Sequence, residues 1–287
     1  METKELDNYK IRSSNQIGFM QGRLSPKRNG RIQSFPWEAW QKEFEAASRI
    51  LIGKMEWTID SENFAANPLL TSSGRLEIIQ LKSLFNMEIP SVTCDYFMEN
   101  PPWKSDASQI LDDIVSILLG MAEIDSKILV IPLVDNSSLG SSVKAFQIND
   151  FFKPITNLLN ENNIKIAFET DLSPDSFSEF IGKFDEENFG INYDIGNSAS
   201  LGFDPIQEFA VIGERVINVH VKDRILGGTT VPLGEGNADF LTVFRCLHKS
   251  GYVGNLIMQT ARADDGKHSE VLAMYRDQVV RWMEEVK

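Results

Sequence analysis

Eight short stretches of the chain are built from β-branched, aliphatic and aromatic residues, with polar positions interleaved in several of them. They begin near Ile17 (IGFMQ), Lys54 (KMEWTI), Ile89 (IPSVTCD), Lys127 (KILVIPLV), Ile164 (IKIAFET), Phe189 (FGINYD), Val216 (VINVHVKD) and Asn255 (NLIMQTA). Runs of this length and composition predict strands, and one begins about every 34 residues, the span of a strand plus its crossover helix. Between them, Ile110, Ile114, Ile117 and Met121, and later Val271, Tyr275, Val279 and Trp282, recur at the spacing of one helical face. Ser34 before Pro36, Ser105 before Asp106 and Ser173 before Pro174 read as helix-capping hydroxyls. Eight regular units of strand and helix predict parallel strands with right-handed crossovers, and favour a closed (β/α)8 TIM barrel over an open doubly wound sheet. With no linker or composition break, the chain reads as a polar N-terminal extension (1–14) and one α/β barrel domain (15–287). Residues 223–240, rich in glycine and without helical period, read as a long loop after the seventh strand.

Side chains two apart on a strand share a face. In the seventh strand Ile217, Val219 and Val221 suit the covering helices, which turns Asn218, His220 and Lys222 into the barrel. The same alternation turns inward Glu56 from the second strand, Asp95 from the end of the third, Glu169 from the fifth, Asn192 and Asp194 from the sixth, and Ile257 and Gln259 from the eighth. All these polar groups are expected at the C-terminal ends of their strands, the active-site mouth of a barrel. Glu169, Asp194, His220 and Gln259 come from four consecutive strands and would offer three oxygens and one nitrogen to one divalent cation. That set suits Mn²⁺ or Mg²⁺ and also accepts Co²⁺ or Zn²⁺. The alternative is purely structural, with Glu169 and Asp194 paired to Lys222, Arg224 or Arg262.

Composition narrows the partners. The formal net charge of −13 opposes a phosphate backbone, so no nucleic acid is expected. No apolar run is long enough to span a membrane, and residues 1–14 lack a signal-peptide core. Two cysteines, Cys94 and Cys246, in a chain of this length read as reduced core thiols of a cytoplasmic protein. Only His220, His248 and His268 supply imidazoles, and the last two lie in helical sequence.

The segments QGRLSP (21–26), EW (56–57), AFE (167–169), NYDIGNS (192–198), NVHVKDR (218–224) and LGEG (233–236), in this order and strand placement, resemble the xylose isomerase-like TIM-barrel superfamily, in particular its sugar or sugar-phosphate isomerase and epimerase branch. The resemblance runs from about residue 16 to 262. It implies a metal held by Glu169, Asp194 and His220. The family's fourth ligand, a Glu, is Gln259 here, and a carboxamide cannot accept a substrate proton. Many family epimerases carry a substrate-contacting His where this chain has Asn197. The implied function is a divalent-metal-dependent isomerase or epimerase of a sugar, sugar phosphate or sugar acid, working by proton abstraction beside a metal-polarised carbonyl through an enediolate. Glu169 is the expected base and Glu56, on the facing side of the mouth, the reserve. A single competent base favours aldose–ketose isomerisation.

Gln21, Asp95 and Asn197 are candidate substrate contacts. Arg23, Lys222, Arg224 and Arg262 follow neighbouring strands and would favour a phosphorylated or acidic sugar. Trp37 and Trp103, in loop-like sequence beside Pro36 and Pro102, are candidate stacking surfaces for sugar C–H faces. The rival readings are a metal-dependent dehydratase or lyase on a polyol or keto-acid, and a non-catalytic carbohydrate-binding barrel. The expected partner is a small-molecule sugar, and a homodimer is left open.

Overall fold

The computed structural model of the chain describes residues 16–139 and 147–286. The expected N-terminal extension lies outside the described residues. Eight parallel strands close a barrel, each paired to its neighbours in chain order and the first to the last. They are β1 (Ile17–Met20), β2 (Met55–Ile59), β3 (Ser91–Cys94), β4 (Ile128–Leu133), β5 (Lys165–Thr170), β6 (Phe189–Asp194), β7 (Val216–Val221) and β10 (Asn255–Met258). Pairing of Ile17 with Leu256 and of Phe19 with Met258 seals the first strand to the last. The architecture is the single-domain TIM barrel that the period of the sequence predicts.

Each strand sends alternate apolar residues outward. Trp57, Val92, Ile131, Phe168, Ile191 and Val219 join one continuous core with the helices, including Ile110, Ile114, Ile117 and Met121 of helix Ala107–Glu123. Met20, Val130, Ala167 and Ile257 are also buried but stand apart from that core, in the barrel interior. Much of the remaining interior is polar: Glu56, Ser91, Thr93, Asn192, Asn218 and His220 are all buried. A TIM barrel is more often filled by branched aliphatic layers, so this polar filling needs its own hydrogen bonds.

Ser173 caps helix Pro174–Ile181 by accepting the Ser176 N–H. The cap of helix Ala107–Glu123 is Asp106, one residue beyond Ser105. Ser34 caps nothing, because the helix after β1 begins only at Trp40. Instead Phe35 donates its N–H to Asp60 (2.9 Å), and residues 34–36 are buried. The segment after β7 also differs from a long open loop. Asp223–Arg224 pairs antiparallel with Thr230–Val231 as β8 and β9. The buried Asp223 carboxylate then gathers the N–H groups of Gly234 (2.8 Å), Gly236 (2.9 Å) and Ala238 (3.1 Å), anchoring the returning strand. Gly196 lets helix Ile195–Leu201 lie against the end of β7, since a Cβ there would sit 2.7 Å from Lys222 Cγ.

Glu43, on helix Trp40–Arg49, sets the turn after β1. Its carboxylate accepts from the N–H of Gly22 (2.8 Å), the N–H of Leu24 (2.9 Å) and the Ser25 hydroxyl (2.9 Å). Burial nevertheless pushes its carboxyl up from the usual range. Glu43→Ala strands these donors away from water, and is expected to lower stability by about 2–4 kcal/mol, measured by denaturant unfolding.

Candidate functional site

The polar interior rises from Glu56 to the mouth. Glu56 is the second residue of β2, wholly buried, and accepts from Ser91 Oγ (2.6 Å), Thr93 Oγ1, Asn218 Nδ2 (3.1 Å) and His220 Nε2 (2.7 Å). The expectation that Glu56 faces the mouth as a reserve base is therefore corrected. It lies beneath the mouth, enclosed by four donors, because it is only the second of five residues in β2 and the pairing of Trp57 with Val92 sets it level with Ser91 at the start of β3. Asn192 and Asn218 likewise sit within their strands rather than at the ends. Asn218 donates to Asn192 Oδ1 (2.9 Å), and Asn192 Nδ2 reaches Glu169 Oε2 (2.7 Å) and His220 Nδ1 (3.0 Å).

With Nε2 directed to Glu56, Nδ1 is the His220 atom that faces upward, 3.2 Å from Glu169 Oε2 and 3.9 Å from Asp194 Oδ2. Ligand atoms of Glu169, Asp194 and His220 all lie within 4.8 Å of one another. The remaining Glu169 oxygen accepts from Asn197 Nδ2 (2.6 Å), and the second Asp194 oxygen caps helix Ile195–Leu201 by accepting the Asn197 N–H (2.8 Å). Lys222 closes the group, its Nζ donating to Asp194 Oδ2 (2.9 Å), Asn197 Oδ1 (3.0 Å) and Gln259 Oε1 (3.1 Å). Gln259 thus joins the same cluster, with its carboxamide oxygen turned toward the ammonium.

The electrostatics follow from burying so many charges together. Burial opposes a charged imidazole, but the Glu56 and Glu169 carboxylates on either side overcome it and push His220 up to about 10. Burial likewise raises Glu56 and Glu169, and His220 more than reverses it for both, helped by Ser91 and Thr93 at Glu56 and by Lys222 and Asn192 at Glu169. Both carboxyls therefore lie below the ordinary Glu range.

Above the cluster opens a cavity of about 510 Å³. Of the candidate residues, Asp95, Glu169, Asn197, Lys222, Arg224 and Gln259 line it. The others do not. Gln21 is wholly buried, its oxygen accepting the Thr58 N–H (3.0 Å). Arg23 donates to Thr260 O (2.9 Å), Ile32 O (3.3 Å) and Gln33 Oε1 (2.9 Å), while Arg262 donates to the carbonyls of Ser25 and Ile32. Both guanidiniums are spent on tying down the loop after β1, and burial first, then the neighbouring Arg262, lowers Arg23 to about 9. The expected four-cation cluster at the mouth is therefore reduced to Lys222 and Arg224. Trp37 packs edge-on against Phe35 (4.8 Å between centroids) and Trp103 against Phe97 (6.1 Å), so both indoles extend the outer core. His268 is buried in the first turn of helix His268–Glu285 and His248 is exposed on helix Phe240–Lys249.

The xylose isomerase-like TIM barrel model matches residues 59–283. The chain belongs to that family. Among relatives, it is 26% identical over 171 residues to the uncharacterized protein MJ1311 of Methanocaldococcus jannaschii, covering 54% of this chain and 58% of that protein. It is 32% identical over 78 residues to the putative L-ribulose-5-phosphate 3-epimerase SgbU of Escherichia coli, covering 25% of this chain and 27% of that protein. The matches therefore span between about a quarter and just over half of those relatives. Solved structures share the fold across nearly the whole chain. A xylose isomerase domain protein from Planctomyces limnophilus superposes with a TM-score of 0.73 at 13% identity, covering 95% of this chain and 98% of that one. A xylose isomerase-like barrel from Mycobacterium smegmatis in complex with magnesium gives 0.70 at 15% identity (96% and 99%). The 3-keto-D-glucoside 4-epimerase YcjR from E. coli gives 0.66 at 16% identity (94% and 99%).

The donor set at the mouth of this xylose isomerase-like barrel suits a divalent ion. Two carboxylates and an imidazole have their ligand atoms in mutual reach, and the imidazole is already fixed through its other nitrogen by Glu56, as metal-bound histidines usually are. Sequence reasoning missed Gln33, Thr93, Asp135 and Asp171 on the cavity wall. Asp135 lies two residues past β4 and Asp171 one past β5, so reading two residues past each strand end would have found them. Gln33 carries no such signal. It arrives through the folded loop after β1, donating to Thr58 Oγ1 (3.0 Å). Among the described residues, no helix is long and apolar enough to cross a membrane.

Proposed function

We propose that the protein is a divalent-metal-dependent isomerase or epimerase of an uncharged sugar. The observation that carries this reading is the convergence of Glu169, Asp194 and His220 at the mouth of a xylose isomerase-like barrel. These three residues would hold the ion, with the Gln259 oxygen beside them as a fourth donor. When bound, an ion such as Mn²⁺ or Mg²⁺, or Co²⁺ or Zn²⁺, supplies Lewis acidity that makes the C–H beside a sugar carbonyl easier to ionise. Glu169 is the base: its carboxylate lines the cavity and is held by two amide donors, Asn192 and Asn197. Asn197 and Lys222 are placed to orient sugar hydroxyls. Relatives in sugar epimerisation, the ribulose-phosphate and keto-glucoside enzymes above, agree with the reaction class. The free thiols of Cys94 and Cys246 agree with a cytoplasmic setting.

Charge favours a sugar without phosphate. Glu169, Asp95, Asp135 and Asp171 line the cavity against only Lys222 and Arg224. Lys222 already donates to three oxygens, and Arg224 to Asn197 Oδ1 (2.9 Å) and Gly228 O (2.7 Å). A phosphate would meet acids with few free donors to satisfy it.

The test is ¹H NMR of the Mn²⁺-loaded protein in D₂O with ketohexoses and their 6-phosphates. Deuterium is expected at the carbon beside the carbonyl of the free sugar, with a kcat/KM at least tenfold above that of the phosphate, and loss of exchange after chelation. Preference for the phosphate overturns the charge argument. Loss of water to a deoxy-keto product would make the protein a lyase. Sugar binding without exchange would make it a binding barrel, the reading Gln259 favours.

A further inference from the structure

Of the three wall aspartates without a task in the proposed reaction, Asp95 is set apart. It opens helix Asp95–Glu99 directly after β3, lines the cavity, and is only 8% exposed. Among the described residues, none donates a hydrogen bond to it. Buried carboxyls almost always find donors, so one left open and facing a cavity is satisfied by what enters that cavity. The other two wall aspartates differ: Asp135 is exposed, and Asp171 already accepts from Ser138 Oγ (3.0 Å).

Its place in the barrel is opposite the metal-binding group. In the closed strand order β3 stands four positions from β7 in either direction, so Asp95 faces the His220 and Lys222 stave across the mouth. Glu169, on β5, approaches from the ion side. β5 stands two positions from β3 in that order, so the two carboxyl groups enter the cavity from different walls, and a sugar lying between those walls would turn a different face to each. Gln259 leaves the β10 side without a proton carrier.

We infer that Asp95 is the second proton-handling residue of this site, acting on the sugar face opposite Glu169, so that the chain can invert a carbon despite Gln259. This rests on the sugar isomerase or epimerase reading. Glu169 takes the proton from the carbon beside the carbonyl; that C–H bond breaks and its electron pair becomes the double bond of an enediolate. The Asp95 carboxyl gives its own proton to the opposite face of the same carbon, where a new C–H bond forms and the carbonyl returns. Asp95 is left as carboxylate and Glu169 as acid, and exchange with water restores both.

The surroundings keep Asp95 in the proton-donating form. Burial is the largest influence, followed by Glu99 on its own helix, Glu169 from β5 and Asp60 after β2. Against His220 from β7 and Arg23 after β1, these push the carboxyl up to about 8. An acid raised in this way holds its proton in the folded state and destabilises the fold as pH rises from about 4 through 8. Asp95→Asn is therefore expected to melt higher than the wild type at pH 9, with the gap closing toward pH 4. A gap independent of pH would remove this support.

The deciding experiment uses the Mn²⁺-loaded full chain in D₂O with the four D-2-ketohexoses as probes, following both deuterium entry and epimer formation. Asp95→Asn is expected to lose epimer formation by about 100-fold or more while C–H exchange stays within about tenfold of wild type. Asp95→Glu is expected to recover part of the inversion. Unchanged inversion in Asp95→Asn, parallel loss of both signals, or a wild type that yields aldose but no epimer overturns the inference alone. A wild type that exchanges no proton in any probe overturns the underlying reading, and the inference with it.

Discussion

Glu169→Gln is expected to lose turnover by about 1,000-fold and to stop deuterium entry into the substrate, even at saturating Mn²⁺. Removing a positioned base from proton abstraction typically costs two to four orders of magnitude. Glutamine keeps a side-chain oxygen for the ion and for one of the amide donors, Asn192 or Asn197, that now hold the carboxylate at 2.7 and 2.6 Å. The protein should therefore fold and still bind a sugar while failing to ionise it. Stopped exchange with retained sugar affinity, read by NMR and calorimetry together, identifies the base. Exchange at the wild-type rate would move the proton abstraction elsewhere, with Asp95 the next group to examine.

The largest stability effect is expected from Glu56→Ala. Four donors, from Ser91, Thr93, Asn218 and His220, converge on this wholly buried carboxylate. Taking away one member of a buried charged pair costs about 3–5 kcal/mol, because the partner's charge and the orphaned hydroxyls and amide stay buried. At about 2–4 °C per kcal/mol for a chain of this size, the melting temperature should fall by on the order of 10 °C. Glu56 also holds the His220 ring, so Glu56→Gln, which keeps the volume, should weaken Mn²⁺ binding by about 10–100-fold in a calorimetric titration. Turnover of the gentler variant at saturating Mn²⁺ should stay near wild type. A Glu56→Gln protein that binds Mn²⁺ normally but turns nothing over would instead place Glu56 in the chemistry.

The two variants separate what reads off a linear chain from what does not. Alternation assigned Glu169, Asp194, His220 and Gln259 to one face of neighbouring strands, and the folded barrel gathers them at one end. The same alternation assigned Glu56 to the interior but gave no height. Height depends on the stagger with which β2 pairs to β3, Trp57 opposite Val92 and so Glu56 beside Ser91 at the foot of β3, which barrel closure sets and no local pattern encodes. The cations illustrate a second limit. Arg23 and Arg262 lie beside the right strands, yet the loop after β1 folds its Ser25 and Ile32 carbonyls onto them and removes them from the cavity.

The sequence by itself determined the alternating strand and helix order, the closed barrel and the set of polar residues pointing inward, because periodicity is local and survives in one dimension. Only the tertiary structure decided that four donors enclose Glu56 beneath the mouth, that the arginines brace a loop, and that Asp95, across from the His220 stave, accepts no hydrogen bond from the described residues. Depth, distance and isolation are relations between segments far apart in the chain, and they exist only once closure and loop packing bring those segments together.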